Sequence, residues 1–338
     1  MESITTRCPA RISFGNGGDT DYYIKEIGWG CIVNATLSSL YFECKINEKE
    51  ERAIIYNDHL EKSSEKTILQ NLKLEGDKLD LIKATISYLN PYFKKSIEIN
   101  TNIPKESGLG GSSTLNVALA LALLKDKGEL TNPEELAKIT YYIERKILQV
   151  EGGYQDQWAA AYGRGLNLMI FKNKRVEVVP IKITKETIRK LEENSILVYF
   201  SRRIDSGKDI HKDQEKKIKE NPEELRRIMI EKRDNTMRIK EALEKGDLEA
   251  FAECLNKDWE LKQKLSAKIC TRDEIYKTAI ENGALGGRLC GAGSGGAYYF
   301  YCKEGMKERV LELLKPFIKM QIPFKIQRAD EYGSWYQT

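Results

Sequence analysis

Histidine and paired cysteine are nearly missing from this chain. His59 and His211 are its two histidines, and its seven cysteines (positions 8, 31, 44, 254, 270, 290 and 302) include no C-x-x-C pair. The odd count, the scatter and the shortage of imidazole argue against a disulfide framework or a structural zinc site. Reduced thiols in a cytoplasmic protein are the expectation that remains. Long apolar runs are also missing. The longest, "VALALALL" from Val117, is too short to span a bilayer, and the N-terminal "MESITTRCPARISF" has no signal-peptide core. There is no concentrated basic tail either: 55 Lys and Arg stand against 51 Asp and Glu, for a net charge of +4. So even a balance argues against nucleic acid as a partner, and the missing span against a membrane.

What is present is material for two packed domains. The chain has 338 residues, 41% of them hydrophobic, which exceeds the comfortable size of one core. Charged residues, rich in Lys and Glu, make up 31%, the composition of a well-solvated and heat-tolerant surface. In the first half, "RISF" and the alternating "CIVNATLSSLYFECKI" read as strands. "KLDLIKATISYLNPYF" has helical spacing, and "SIEINT" is a short strand. "STLNVALALALLKDKG" is apolar on nearly all sides, which predicts a buried helix stopping at Gly128. "TNPEELAKITYYIERKIL" opens with a capping Thr or Asn, a proline and two glutamates. Strand patterns follow in "RGLNLMIF" and "RVEVVPIKI". Residues 207–265 then carry charged, helical periodicity, enough for two or three amphipathic helices. The end holds "GAGSGGAYYFYC", a helix from Gly305 and a strand near "FKIQ". The texture changes near residue 180, which divides the chain into 1–180 and 181–338 with an extensive shared interface.

Between the strand "SIEINT" and the buried helix lies "IPKESGLGGSST", residues 103–114. The lysine of a Walker A loop is absent, because Ser112 follows Gly111. Gly108, Gly110 and Gly111 nevertheless allow backbone angles closed to other residues and let a ligand approach the main chain. The unpaired amides and dipole of the next helix favour an anion there. Ser112 and Ser113 offer hydroxyls suited to Mg²⁺ or a phosphate oxygen. The competing reading is a glycine-rich helix entry and nothing more. Two further segments bear on the choice. In "IERKILQVEGGYQDQWAAAYG", Glu144 closes a helix and Asp156 follows the Gly152-Gly153 turn. One carboxylate can complete a Mg²⁺ shell while another accepts a proton from an attacking hydroxyl; alternatively Glu144 is a surface charge and Asp156 a helix N-cap. "CGAGSGGAYYF", residues 290–300, is a second glycine-rich loop feeding a strand, equally explained as a β-turn.

Taken in order, these segments resemble the GHMP kinase superfamily. "P-x-x-S-G-L-G-G-S-S" is similar to its phosphate-binding motif, "RCPARISFGNGGDTDYY" to its N-terminal substrate motif and "CGAGSGG" to its C-terminal motif, over nearly the whole chain. The resemblance implies an α+β fold, with an S5-like N-terminal domain packed on a ferredoxin-like C-terminal domain and the active site between them. It also implies ATP as phosphoryl donor with Mg²⁺. Gly108, Leu109, Gly110, Gly111, Ser112 and Ser113 would wrap the phosphates, and Ser113 and Glu144 would hold the metal. Asp156 would be the catalytic carboxylate. Arg11 would either assist the nucleophile and the transferring phosphoryl group or be a strand residue salt-bridged to Asp156.

Within the superfamily, "IER…GGYQDQWAAAYG", "GLNLMIF" and the closing "SW" look most like heptose 7-phosphate kinases, which act on an anomeric hydroxyl. The motif "FGNGGDTD" has seven positions after its Phe where that pattern has six. It therefore leaves open whether Asp19 or Asp21 binds sugar hydroxyls beside Gly18. Gly153 and the second-loop glycines Gly291, Gly293, Gly295 and Gly296 would close over substrate. "FSRRIDSGKDIHK", with Arg202, Arg203, Ser206 and Lys208, is either a sugar-phosphate site or a solvated loop. Tyr22, Tyr23, Tyr154 and Trp158 either stack on a sugar or pack the core. The readings left beside a heptose phosphate kinase are a kinase for galactose, fucose or a small alcohol, a sugar sensor without catalysis, and a decarboxylase. The joint presence of Ser112, Ser113, Glu144 and Asp156 argues against the sensor.

Overall fold

Strand β1 (Ile4–Gly15) runs antiparallel along the nineteen-residue β2 (Trp29–Asn47), the axis on which the N-terminal half is built. The structure, a computed structural model, describes residues 3–15, 20–48, 51–173, 175–201, 213, 216–217, 219–266, 269, 273–293 and 295–328, with Asp21 and Asp273 described by backbone alone. Between β1 and β2 lies helix α1 (Thr20–Ile27). A hairpin of β3 (Ala53–Asp58) and β4 (Ser63–Ile68) follows, then α2 (Asp80–Leu89) and β5 (Ser96–Thr101). After α3 (Gly111–Asp126), α4 (Pro133–Tyr142) and α5 (Gln155–Tyr162), the half closes with β6 (Leu166–Lys172) and β7 (Arg175–Pro180). The seven strands form one sheet, β4-β3-β5-β2-β6-β7 with β1 on the other edge of β2; the β3–β5 pair is parallel.

The length of β2 has a consequence for its faces. Its outer part, from Leu40 to Asn47, alternates buried and half-buried, as the sequence pattern predicts. Residues from Gly30 to Leu37 are buried without alternation, because the C-terminal half covers the face that would otherwise meet solvent. Residues 36–38, left open between the stretches paired with β5 and β6, bond instead to the chain near Ile326.

The C-terminal half contains α6 (Lys185–Asn194), β8 (Ser195–Ser201), α7 (Pro222–Lys245), α8 (Leu248–Leu265), α9 (Asp273–Glu281), β9 (Ala284–Leu289), β10 (Gly296–Cys302), α10 (Lys307–Leu314) and β11 (Met320–Ile322). Its sheet order, β11-β8-β10-β9, is fully antiparallel and places the first strand between the fourth and third. That is the split β-α-β arrangement of ferredoxin-like folds. Local chemistry explains the helix ends. Asn132, Asn221 and Asp247 each accept a backbone N–H from three residues on, Pro133 and Pro222 follow the two asparagines, and α7 stops at Gly246 in the left-handed region. Helix α3 is buried continuously from Ser113 to Leu124, as its unbroken apolar pattern predicts, and Gly128 follows at φ +72°.

One core joins the halves. Phe14 at the end of β1 packs edge-on against Phe251 of α8, centroids 5.2 Å apart, and against Tyr299 of β10 at 5.0 Å. No disulfide joins the six described cysteines; burial pushes the thiols of Cys8 and Cys31 up to about 12, which keeps them protonated.

Candidate active site

The glycine-serine loop is held by β1. Arg11 N–H donates to the Leu109 carbonyl at 3.2 Å, and Arg11 Nη1 donates to the Gly108 carbonyl at 2.7 Å. Gly108 and Gly110 both sit at φ +80°, and Gly110 is the residue before the first turn of α3. No side chain caps that turn and no acidic residue occupies it, which suits an anion there, and Gly110, Gly111, Ser112 and Ser113 line a cavity of about 960 Å³. A Cβ on Gly108 would lie 2.8 Å from the Cys290 carbonyl oxygen, so the second glycine-rich loop packs directly on the first. Ala297 N–H donates to the Ser107 carbonyl at 3.0 Å across the same contact.

Helix α4 runs into a π-helical turn, Ile143–Ile147, which turns Glu144 inward. Glu144 is buried, not a surface charge. Its Oε2 accepts from Ser113 Oγ at 2.9 Å and from Gln157 Nε2 at 2.8 Å, while Oε1 accepts from Asn116 Nδ2 at 3.0 Å. Burial pushes its carboxyl above the usual range, opposed by the nearby Arg145 guanidinium and by the hydrogen bonds from Asn116 and Ser113.

Asp156 lies in the first turn of α5 and is not its N-cap, a position occupied by Tyr154. Arg11 Nε and Nη2 both donate to Asp156 Oδ1, at 2.9 and 2.7 Å. The ion pair considered as one role for Arg11 is therefore present, and Arg11 and Asp156 both also line the cavity. Each role uses the same guanidinium. Ser13, two residues along β1 and so on the same face as Arg11, accepts from Gln155 Nε2.

Other sequence candidates fall in distinct places. Leu109 is fully buried below the loop. Gly153 lines the cavity, yet a Cβ there would lie 2.0 Å from Thr20 Oγ1; the same hydroxyl accepts from Tyr154 N–H at 2.8 Å. Its smallness thus joins the α5 turn to the start of α1. Gly291 lines the cavity, whereas Gly293 backs onto Lys262 and Ile269, and Gly295 is buried at φ +140°. Gly18, Asp19, Arg202, Arg203, Ser206 and Lys208 lie outside the described residues, as does the side chain of Asp21. Tyr23, Tyr154 and Trp158 are core residues, Tyr154 stacked on Tyr141 at 4.4 Å, and neither they nor Tyr22 line the cavity.

Sequence reasoning missed Asn116, Gln157 and Arg145. Asn116 had a signal: it is one polar residue in an apolar helix, three positions after Ser113 and hence on its face. Gln157 had none beyond its place beside Asp156. Arg145, the neighbour of Glu144 in the turn, donates to the Val150 and Gly153 carbonyls and so braces the loop carrying Asp156.

Comparison with known proteins shows the family. The family model described as GHMP kinases N terminal domain matches residues 80–164, and that described as GHMP kinases C terminal matches residues 239–315. The chain is 35% identical over 330 residues to a D-glycero-alpha-D-manno-heptose 7-phosphate kinase of Campylobacter jejuni, covering 93% of this chain and 94% of that one. Among solved structures it is similar to a putative sugar kinase of C. jejuni, at TM-score 0.74 and 31% identity over 97% of both chains. It is also similar to a D-glycero-D-manno-heptose 1-phosphate kinase of Bacteroides thetaiotaomicron, at TM-score 0.71 and 27% identity over 97% of both.

Proposed function

Because this chain belongs to the GHMP kinase family, we propose that it is an ATP-dependent sugar kinase that phosphorylates the anomeric hydroxyl of D-glycero-D-manno-heptose 7-phosphate or a closely related sugar. The observation that carries the reading is convergence. The Arg11–Asp156 pair, the Ser113–Glu144 pair, Gly108 and the uncapped first turn of α3 with Gly110 before it all line one cavity. The division of labour follows 1–180 for nucleotide and 181–338 for the wall that closes on the sugar.

ATP phosphates lie along the first turn of α3, where amides and dipole oppose their charge. The apolar part of the cavity, lined by Ile54, Tyr56, Ile82 and Ile103, suits the nucleoside. Ser113 Oγ and Glu144 Oε2 would hold Mg²⁺. The two are hydrogen-bonded to each other at 2.9 Å, and a hydroxyl beside a carboxylate is the kind of hard oxygen donor set that Mg²⁺ takes. When bound, the ion offsets phosphate charge. Asp156 accepts the proton of the sugar hydroxyl as its oxygen bonds to the γ-phosphorus and the bond to the β–γ bridging oxygen breaks, releasing ADP. Arg11 orients Asp156 and places positive charge beside the transferring group.

The test is ADP release across a panel of heptose 7-phosphate, mannose, galactose and fucose. Turnover with heptose 7-phosphate alone supports the reading. Turnover only with an unphosphorylated sugar keeps the kinase and overturns the substrate. No turnover at all, with ATP still bound, overturns the kinase in favour of a sensor.

A further inference from the structure

Away from the reacting groups, α7, α8 and β9 bury a knot of charge: Lys232, Asp258, Lys262 and Arg288, none more than 1% exposed. Lys232 Nζ lies 2.6 Å from Asp258 Oδ1, and Arg288 Nη1 lies 2.5 Å from Oδ2. Among the described residues the knot holds three basic side chains and one carboxylate, a costly composition where a single pair would satisfy the aspartate. Burial lowers Lys232 to about 8 and pushes Lys262 well below the ordinary lysine value. Arg288 leaves Nε and Nη2 buried without an acceptor. Stability alone gives no reason to keep such groups.

Their remaining bonds supply one. Lys262 Nζ donates to the carbonyls of Leu289 at 2.9 Å and Gly291 at 2.6 Å. Arg288 Nη1 donates to the Phe14 carbonyl at 2.8 Å. Phe14 closes the strand that carries Arg11 and Ser13 into the cavity and leads into the first substrate motif. Gly291 begins the second glycine-rich loop and lines the cavity from the opposite half. The knot is therefore tied to both walls at their backbone, from behind. We propose that Lys262 and Arg288 are positioning residues for the sugar, fixing the end of β1 and the second glycine-rich loop at one separation. This rests on the kinase reading above for the identity of the ligand, though not for the coupling of the two walls.

Lys262→Met keeps the side-chain length and removes both donations. The expected result is a sugar KM raised at least about tenfold, with AMP-PNP affinity within about threefold of wild type. Amide hydrogen exchange at Cys290 and Ala297 should quicken while exchange along α3 does not change. A sugar KM within threefold in a folded variant overturns the proposal. So does a loss of AMP-PNP affinity proportional to the rise in KM, which marks general damage. If Lys262→Met does not fold, Lys262→Gln, which retains one donor group, decides by the same KM comparison. If the wild type turns over no sugar in the panel, the kinase reading has failed, and the exchange experiment alone judges the coupling: unaltered exchange at positions 290 and 297 overturns it.

Discussion

Replacing Asp156 by Asn separates the chemistry of this site from its architecture, because of how Arg11 binds. Both Arg11 nitrogens converge on one oxygen, Oδ1, and an asparagine still offers an acceptor there. What changes is Oδ2, which becomes an amide nitrogen unable to take a proton. The side chains of the pair are 7% and 29% exposed, so the aspartate side is partly solvated. Losing its charge should cost stability about 1 kcal/mol, nearer the exposed-pair range than the 3–5 kcal/mol of a fully buried pair. Loss of a positioned base costs ~10²–10⁴ in kcat, or about 2.7–5.4 kcal/mol at 1.36 kcal/mol per decade. AMP-PNP affinity should hold, since the phosphates meet the loop and not Asp156. Single-turnover ADP formation, thermal unfolding and AMP-PNP titration measure the three quantities. A folded variant with kcat within tenfold of wild type would refute the assignment of Asp156 as base. Arg11→Met provides the contrast: it also strips the Gly108 carbonyl of its partner, so it should weaken AMP-PNP binding where Asp156→Asn does not.

Three further outcomes follow from the geometry. Glu144 has its carboxyl pushed above the usual range, so folding favours its protonated form; metal-free stability should fall as pH rises from the ordinary carboxylate value through the raised one, while affinity for Mg²⁺ with AMP-PNP rises over the same window. Gln157→Leu removes a donor to that carboxylate and should weaken Mg²⁺ ~10–100-fold, read by metal titration, with AMP-PNP affinity in the absence of metal unaltered. Gly296→Ala would place a Cβ 2.5 Å from the Ser107 carbonyl oxygen at φ +110°, costing about 3 kcal/mol or more, whereas Gly76→Ala, in open space at φ +78°, should cost ~1–2 kcal/mol in thermal unfolding.

Much of this protein was legible in one dimension. Helix α3 announced itself through its unbroken apolar run, α4 through its capping residues and proline, and α7 and α8 through charged helical periodicity, because each signal acts over a few neighbours. The glycine-serine loop was legible for the same reason, its function residing in backbone conformation that Gly108 and Gly110 permit locally. The β3–β4 hairpin was not read, since its exposed strand β4 carries no apolar alternation and is held by pairing with β3 alone. Nor could spacing reveal that Gly153 serves Thr20, or that Asn116 and Gln157 join Glu144, contacts that appear only once α3, the π-helical turn and α5 pack together. The charge knot lay furthest from view: Lys232, Asp258, Lys262 and Arg288 look like four more charges in a charge-rich chain. Sequence determined which segments are helix, strand and glycine loop, because those preferences are local free energies. The tertiary structure alone decided which charges lose their water, because burial depends on what the rest of the chain places around them.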